Sequence, residues 1–137
     1  MKAFKYLLLT FLVLSAIDSG LEYALQLYKN DTLQNDKGAI KTLIKQANSG
    51  DVDAKFLLAC AYKNGKLGKI NLEKSFYWYK EAAISGDADA MLMLGWFYYK
   101  GSQHLAVNMK KAKYWFNKAA LRGVDEAIEM LALLNEV

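Results

Sequence analysis

"WYKEAAISGDADA", residues 78–90, returns almost unchanged as "WFNKAALRGVDEA", residues 115–127. Upstream of each, "AKFLLACAY" (54–62) matches "AMLMLGWFY" (90–98), and a glycine follows within three residues, Gly65 or Gly101. A loop then leads to Asn71 or Asn108, and after it come "LEKSFYWYKEAA" and "MKKAKYWFNKAA". Ala54, Ala90 and Ala127 open successive copies 36 and 37 residues apart, the last being the partial copy "AIEMLALL". A fainter copy precedes them: "GLEYALQLY" from Gly20, then "DKGAIKTLIKQANSGDVDA", with Leu43 where Trp78 and Trp115 stand. Self-similarity at this period marks stacked supersecondary units, none of which can bury its apolar face alone.

Each unit reads as two helices. Ala54, Leu58 and Tyr62 lie four apart on one helical face, and Ala90, Leu94 and Tyr98 repeat that spacing. In the second helix Ser75, Trp78 and Ala82 share a face, as do Ala112, Trp115 and Ala119. The indoles are expected to fill the space between layers, with an alanine one turn on making room. Asp36, Asn71 and Asn108 stand seven residues before Leu43, Trp78 and Trp115, where an N-cap belongs. Gly50, Gly86 and Gly123 stand where the second helix must stop. Asp51 and Asp87, inside "GDVDA" and "GDADA", read as caps of the next helix and not as metal ligands.

These residues resemble Sel1-like repeats, relatives of the tetratricopeptide repeat. That pattern is roughly A-x-x-x-L-G-x-x-Y, a glycine-rich loop, then D-x-x-K-A-x-x-W-Y-x-K-A-A-x-x-G. Ala90, Leu94, Gly95, Tyr98, Gly101, Lys111, Ala112, Trp115, Lys118, Ala119, Ala120 and Gly123 match it, and Ala54 to Gly86 match nearly as fully. Ala59 replaces the glycine, Ser75 an alanine, and asparagine the capping aspartate; the second loop is one residue longer than the first. The resemblance implies an all-α fold, a right-handed α-solenoid of antiparallel helix pairs. Its divisions would be a degenerate repeat over 20–53, repeats over 54–89 and 90–126, and a terminal helix over 127–137. It implies no catalytic residue and no cofactor. Such proteins act as adaptors or binding scaffolds, often bacterial and often exported.

The rest of the chain narrows the function further. Hydrophobic residues make up 54% and charged residues 23%, with no proline, as befits a folded helical chain. Lysine plus arginine number 18 against 14 acids, but they are scattered and form no basic stripe, so no nucleic-acid partner is expected. Lys2 and Lys5 precede an apolar run from Tyr6 to about Ile17, then small and polar residues. That is the layout of a secretory signal peptide, cleaved between Ser15 and Gly20, and it implies a periplasmic or secreted protein without stable membrane insertion. An uncleaved anchor or a buried first helix is the other reading of this stretch. Cys60 and His104 are the single cysteine and histidine, so no internal disulfide, multi-histidine metal site or Ser-His-Asp set is expected. His104 reads as a solvated loop side chain and Cys60 as helix packing.

A solenoid offers an extended concave surface lined by its first helices. Positions two, six and nine beyond each leading alanine lie off the core stripe. They select Phe56, Cys60 and Lys63 in one unit and Leu92, Trp96 and Tyr99 in the next. The flanking units add Glu22, Gln26, Lys29, Glu129 and Leu133. Trp96 and Tyr99 are surplus aromatics, because Ala90, Leu94 and Tyr98 already supply the core stripe. Each either forms part of a protein- or peptide-binding groove or packs on a neighbouring first helix. The leading expectation is a non-catalytic protein- or peptide-binding scaffold whose partner contacts are Phe56, Lys63, Leu92, Trp96 and Tyr99, with neutralisation of a toxic partner among its roles. The alternatives are a small-ligand binder or enzyme acting on cell-wall material, and a membrane-tethered structural protein.

Overall fold

The helices that start at Lys37, Val52, Leu72, Ala88 and Met109 each begin where a short polar side chain takes over a free backbone N–H. The computed structural model describes residues 19–136. Helix α1 covers residues 19–29. A single 3-10 turn, Leu33–Asn35, leads to α2, Lys37–Asn48. Then follow α3, Val52–Lys63, and α4, Leu72–Ile84. Helices α5, Ala88–Lys100, α6, Met109–Ala120, and α7, Asp125–Asn135, complete the series. The caps are those read in the sequence: Asp36, Asp51, Asn71, Asp87 and Asn108 accept from the N–H of Ala39, Ala54, Lys74, Ala90 and Lys111 at 2.6–2.9 Å. Gly50, Gly86 and Gly123 end the second helices with φ of +104°, +104° and +83°, a backbone that a side chain resists. The apolar segment from Tyr6 to Ile17 lies outside the described residues.

Successive helices pack on one another, α2 on α3, α3 on α4, and so on to α6 on α7. This is a right-handed α-solenoid of helix pairs, with no β-strand among the described residues beyond an isolated bridge between Ser102 and Leu105. Two clusters of buried side chains form its core. One joins α1 to α3, the other joins α3 to α7, and Trp78 packs against both.

The face read for the second helices is buried at Leu43, Ser75, Ala82, Ala112 and Ala119, but its tryptophans are not the buried rings. Trp78 and Trp115 are only half-buried, and the residues after them carry the core: Tyr79 is 1% exposed and Phe116 fully buried. Tyr79 sits between Phe56 of α3 and Phe97 of α5, with ring centroids 5.5 and 6.0 Å away. Phe116 lies against Gly95 so closely that a Cβ there would stand 2.5 Å from the ring. The glycine therefore makes room for a ring, and its helical backbone needs no special conformation. In the preceding unit Ala59 takes this place, and the Ser75 hydroxyl donates to the Ala59 carbonyl at 2.9 Å. Thus two departures from the family pattern meet: the carbonyl of the alanine that replaces a glycine accepts from the serine that replaces an alanine.

The loops close the same way despite their different lengths. Asn71 N–H donates to the Tyr62 carbonyl at 2.9 Å, and Asn108 N–H to the Tyr98 carbonyl at 2.8 Å. Lys74 and Lys111 then lie over the rings of Tyr62 and Tyr98, 5.3 and 5.2 Å from their centroids. The recurring lysine and tyrosine are thus partners in one clasp, each cation facing the negative face of a ring. The longer second loop absorbs its extra residue in the Ser102–Leu105 bridge, where Ser102 N–H donates to the Leu105 carbonyl at 2.7 Å and Leu105 N–H returns to Ser102.

Candidate functional site

A groove of about 510 Å³ crosses the first helices α3, α5 and α7. Met93, Trp96, Phe97 and Lys100 come from α5, Lys63 from the end of α3, and Leu72 from the start of α4. Glu126 reaches in from α7. Lys63 and Trp96 of the sequence-selected set thus share one groove, although they stand 33 residues apart.

Trp96 is half-buried and held from several directions. Its indole N–H donates to Glu126 Oε1 at 2.8 Å, and the Lys100 ammonium lies 4.8 Å from its ring centroid. Tyr99 and Phe116 both meet it edge to face at 5.6 Å. Fixing a large side chain in this way removes the rotamer freedom it would otherwise lose when a partner binds. Lys63 is half-buried at the groove edge and has no hydrogen-bond or ion-pair partner among the described residues.

The remaining sequence-selected residues are placed differently. Leu92 is 8% exposed, belongs to the core and does not line the groove. Phe56 is half-buried and spends its face on Tyr79. Tyr99 is 36% exposed and borders Trp96 without lining the groove. Cys60 is half-buried, with its sulfur 3.2 Å from the Tyr79 hydroxyl. Burial pushes the Cys60 thiol above its ordinary pKa and outweighs the hydrogen bond from Tyr79 and the charge of Lys63, both of which pull it down. Burial pushes the Tyr79 hydroxyl up as well. This pair is protonated at neutral pH and packs as a structural contact, not as an activated nucleophile.

Sequence reasoning missed Met93, Phe97, Lys100 and Glu126. The first three follow one another at i, i+4 and i+7 from Met93, a signal that was legible once Trp96 was suspected. Glu126 had a weaker one, since it occupies the repeat position of Asp53 and Asp89. A second hollow, about 280 Å³, lies between the two loops at Ile70–Glu73 and Ser102–His104. His104 is exposed there. Among the described residues no group of three or more His, Cys, Asp and Glu side chains is placed to hold a metal ion, and no helix is long and apolar enough to cross a membrane.

Two consecutive stretches, residues 52–87 and 88–124, match the model of the Sel1 repeat. A solved Sel1 repeat protein from Oxalobacter formigenes is 33% identical, with 67% of this chain and 68% of that chain covered and a TM-score of 0.61. A protective antigen present in uropathogenic Escherichia coli strains, displaying an SLR fold, is 25% identical with a TM-score of 0.73. That alignment takes in 86% of this chain but only 26% of the antigen. No curated protein matches the chain.

Proposed function

The chain belongs to the Sel1 repeat family, and from that premise we propose that it is a non-catalytic scaffold that binds another protein, or a peptide segment of one, in the groove across α3, α5 and α7. Repeats of this family are in general protein–protein interaction scaffolds. The observation that carries the assignment to this groove is Trp96, a half-exposed indole already locked in place by Glu126, Lys100 and Phe116. Binding energy at protein interfaces concentrates on such rigid aromatic anchors. The N-terminal layout supports a role outside the cytoplasm, in the periplasm or beyond, where neutralising a toxic partner suits a small scaffold.

Crosslinked capture from cells, read by mass spectrometry, tests the groove with wild type, Trp96→Ala and Glu126→Ala. A protein captured by wild type and lost in Trp96→Ala is expected, with partial loss in Glu126→Ala, where the indole is present but unpinned. Helicity retained in both variants separates binding from folding. Equal capture by all three would remove the groove from the function. Intact mass of the purified chain tests export: loss of about 15–20 residues is expected, and the full mass would contradict it.

A further inference from the structure

We infer that the groove selects a peptide segment with a carboxylate beside a large apolar side chain, the carboxylate lying between Lys63 and Lys100 and the apolar group against Trp96. This rests on the groove being a peptide site, and it adds the chemistry of the occupant. The wall is apolar: Met93, Trp96 and Phe97, with Leu72 exposed at the rim. An apolar wall alone accepts any hydrophobic segment. The charges beside it do not.

Lys63 closes α3 and Lys100 closes α5, so two ammonium groups edge the same groove from adjacent first helices. Neither forms an ion pair among the described residues: the one ion pair there joins Lys66 to Asp31, away from the groove lining. Lys100 lies over the indole ring, and Lys63 acts on the Cys60 thiol through its charge, without a hydrogen bond. The single carboxylate lining the groove is Glu126, and its oxygen is engaged by the Trp96 N–H. The lining therefore carries two cations and one committed anion, and the chain as a whole carries a formal charge of +4. An incoming carboxylate would gain charge-assisted hydrogen bonds beside an apolar wall, where water competes weakly. A lysine or arginine in the same place would meet two unpaired like charges, and that repulsion supplies discrimination.

A display library of random peptides selected against the full chain tests this, run in parallel on Trp96→Ala, on Lys63→Glu with Lys100→Glu, and on Lys63→Gln with Lys100→Gln. The wild-type pool is expected to show aspartate or glutamate next to Leu, Phe or Trp, enriched about tenfold over the unselected library. The glutamine pair should lose the acidic preference and keep the apolar one, and the glutamate pair should turn the preference to lysine and arginine. Selected peptides resynthesised with blocked ends distinguish a side-chain carboxylate from a free chain terminus: unchanged affinity assigns the side chain. A pool that depends on Trp96 yet is indifferent to acid, and unmoved by charge reversal, overturns the carboxylate inference and leaves the groove reading standing. A wild-type pool with no dependence on Trp96 overturns both. Thermal melts followed by circular dichroism confirm that each variant is folded.

Discussion

Tyr79 and Phe116, and not the tryptophans beside them, are the buried rings of α4 and α6. Both lie inside the core, whereas Trp78 and Trp115 keep part of their surface in water. Truncating Tyr79 or Phe116 to alanine is therefore expected to cost about 3–5 kcal/mol, as for other large buried aromatics. Trp115→Ala should cost less than Phe116→Ala, and urea unfolding of the two variants compares them directly. A tryptophan variant that proves the more damaging would return the buried ring to the tryptophan that the repeat pattern marks. Gly95→Ala forces a methyl into the Phe116 ring and should cost roughly 1–3 kcal/mol. In the double variant with Phe116→Leu much of that loss should return, a coupling that a double-mutant cycle measures. The repeat made the buried stripe legible at Leu43, Ser75, Ala82, Ala112 and Ala119, all fully buried, and left open only which ring goes under. Successive side chains on a helix stand about 100° apart, so Trp78 and Tyr79 both point broadly toward the neighbouring layer. Which of them goes under depends on how α4 is set against α3 and α5, and no local spacing records that. Trp96 was legible as a surplus aromatic and Lys100 sits one turn on in the same helix, but Glu126 joins them only because α7 lies beside α5.

Every second helix with a described start, and α3 and α5 among the first helices, is capped, and two of the caps respond to pH with opposite sign. The N–H of Ala39 chiefly, and the Tyr23 hydroxyl next, hold the Asp36 carboxyl below its usual value. Its stabilisation is present above the ordinary carboxylate pKa and is lost as pH falls through the lowered one. Asp87 behaves in reverse. Burial pushes its carboxyl up, against the pull of the Ala90 N–H, and the charges of Asp89 and Asp53 add to the push. Native Asp87 holds its proton more tightly than the unfolded chain does, so its contribution declines as pH rises from the ordinary value through the raised one. Asp87→Asn keeps a capping oxygen and removes the charge. It should leave the protein at least as stable as wild type at neutral pH and remove that decline, while Asp36→Asn should lose stability at neutral pH. Urea midpoints between about pH 3 and 7 report both, since that range brackets the carboxylate values. A drop in neutral-pH stability for Asp87→Asn equal to that for Asp36→Asn would refute the assignment of opposite signs. Asn108→Ala removes a cap with no charge involved and should cost about 1 kcal/mol at any of these pH values. Caps were the part of the fold most open to sequence reading, because a cap and its target sit three residues apart. The closure of the second loop was not, because the Ser102–Leu105 bridge has no counterpart in the first.

A stack in which each helix rests on its neighbours has stability that varies along its length. Repeat positions let one molecule serve as its own control. Met91 of α5 and Ile128 of α7 are equivalent, yet Met91 is 4% exposed and Ile128 is 50% exposed. Leu94 and Leu131 differ in the same direction, the first fully buried and the second half-buried. The difference comes from coverage, since the side chains are similar in size. Helix α5 packs on α4 and α6, while α7 packs on α6. Native-state hydrogen exchange should therefore be slowest in α4 and α5 and fastest in α7, with the opening free energy falling toward α7. Glu126 reaches from that least protected helix to pin the indole of Trp96, so local opening of α7 should also release the anchor of the groove. Exchange of the Trp96 indole N–H should then follow the backbone amides of α7 and not those of α5, although the residue belongs to α5. Glu126→Ala should speed exchange at the indole N–H alone. Uniform protection from α2 to α7 would mean that the stack unfolds as one unit and that the groove has no separate motion, and an indole N–H as slow as the α5 amides would detach Trp96 from α7.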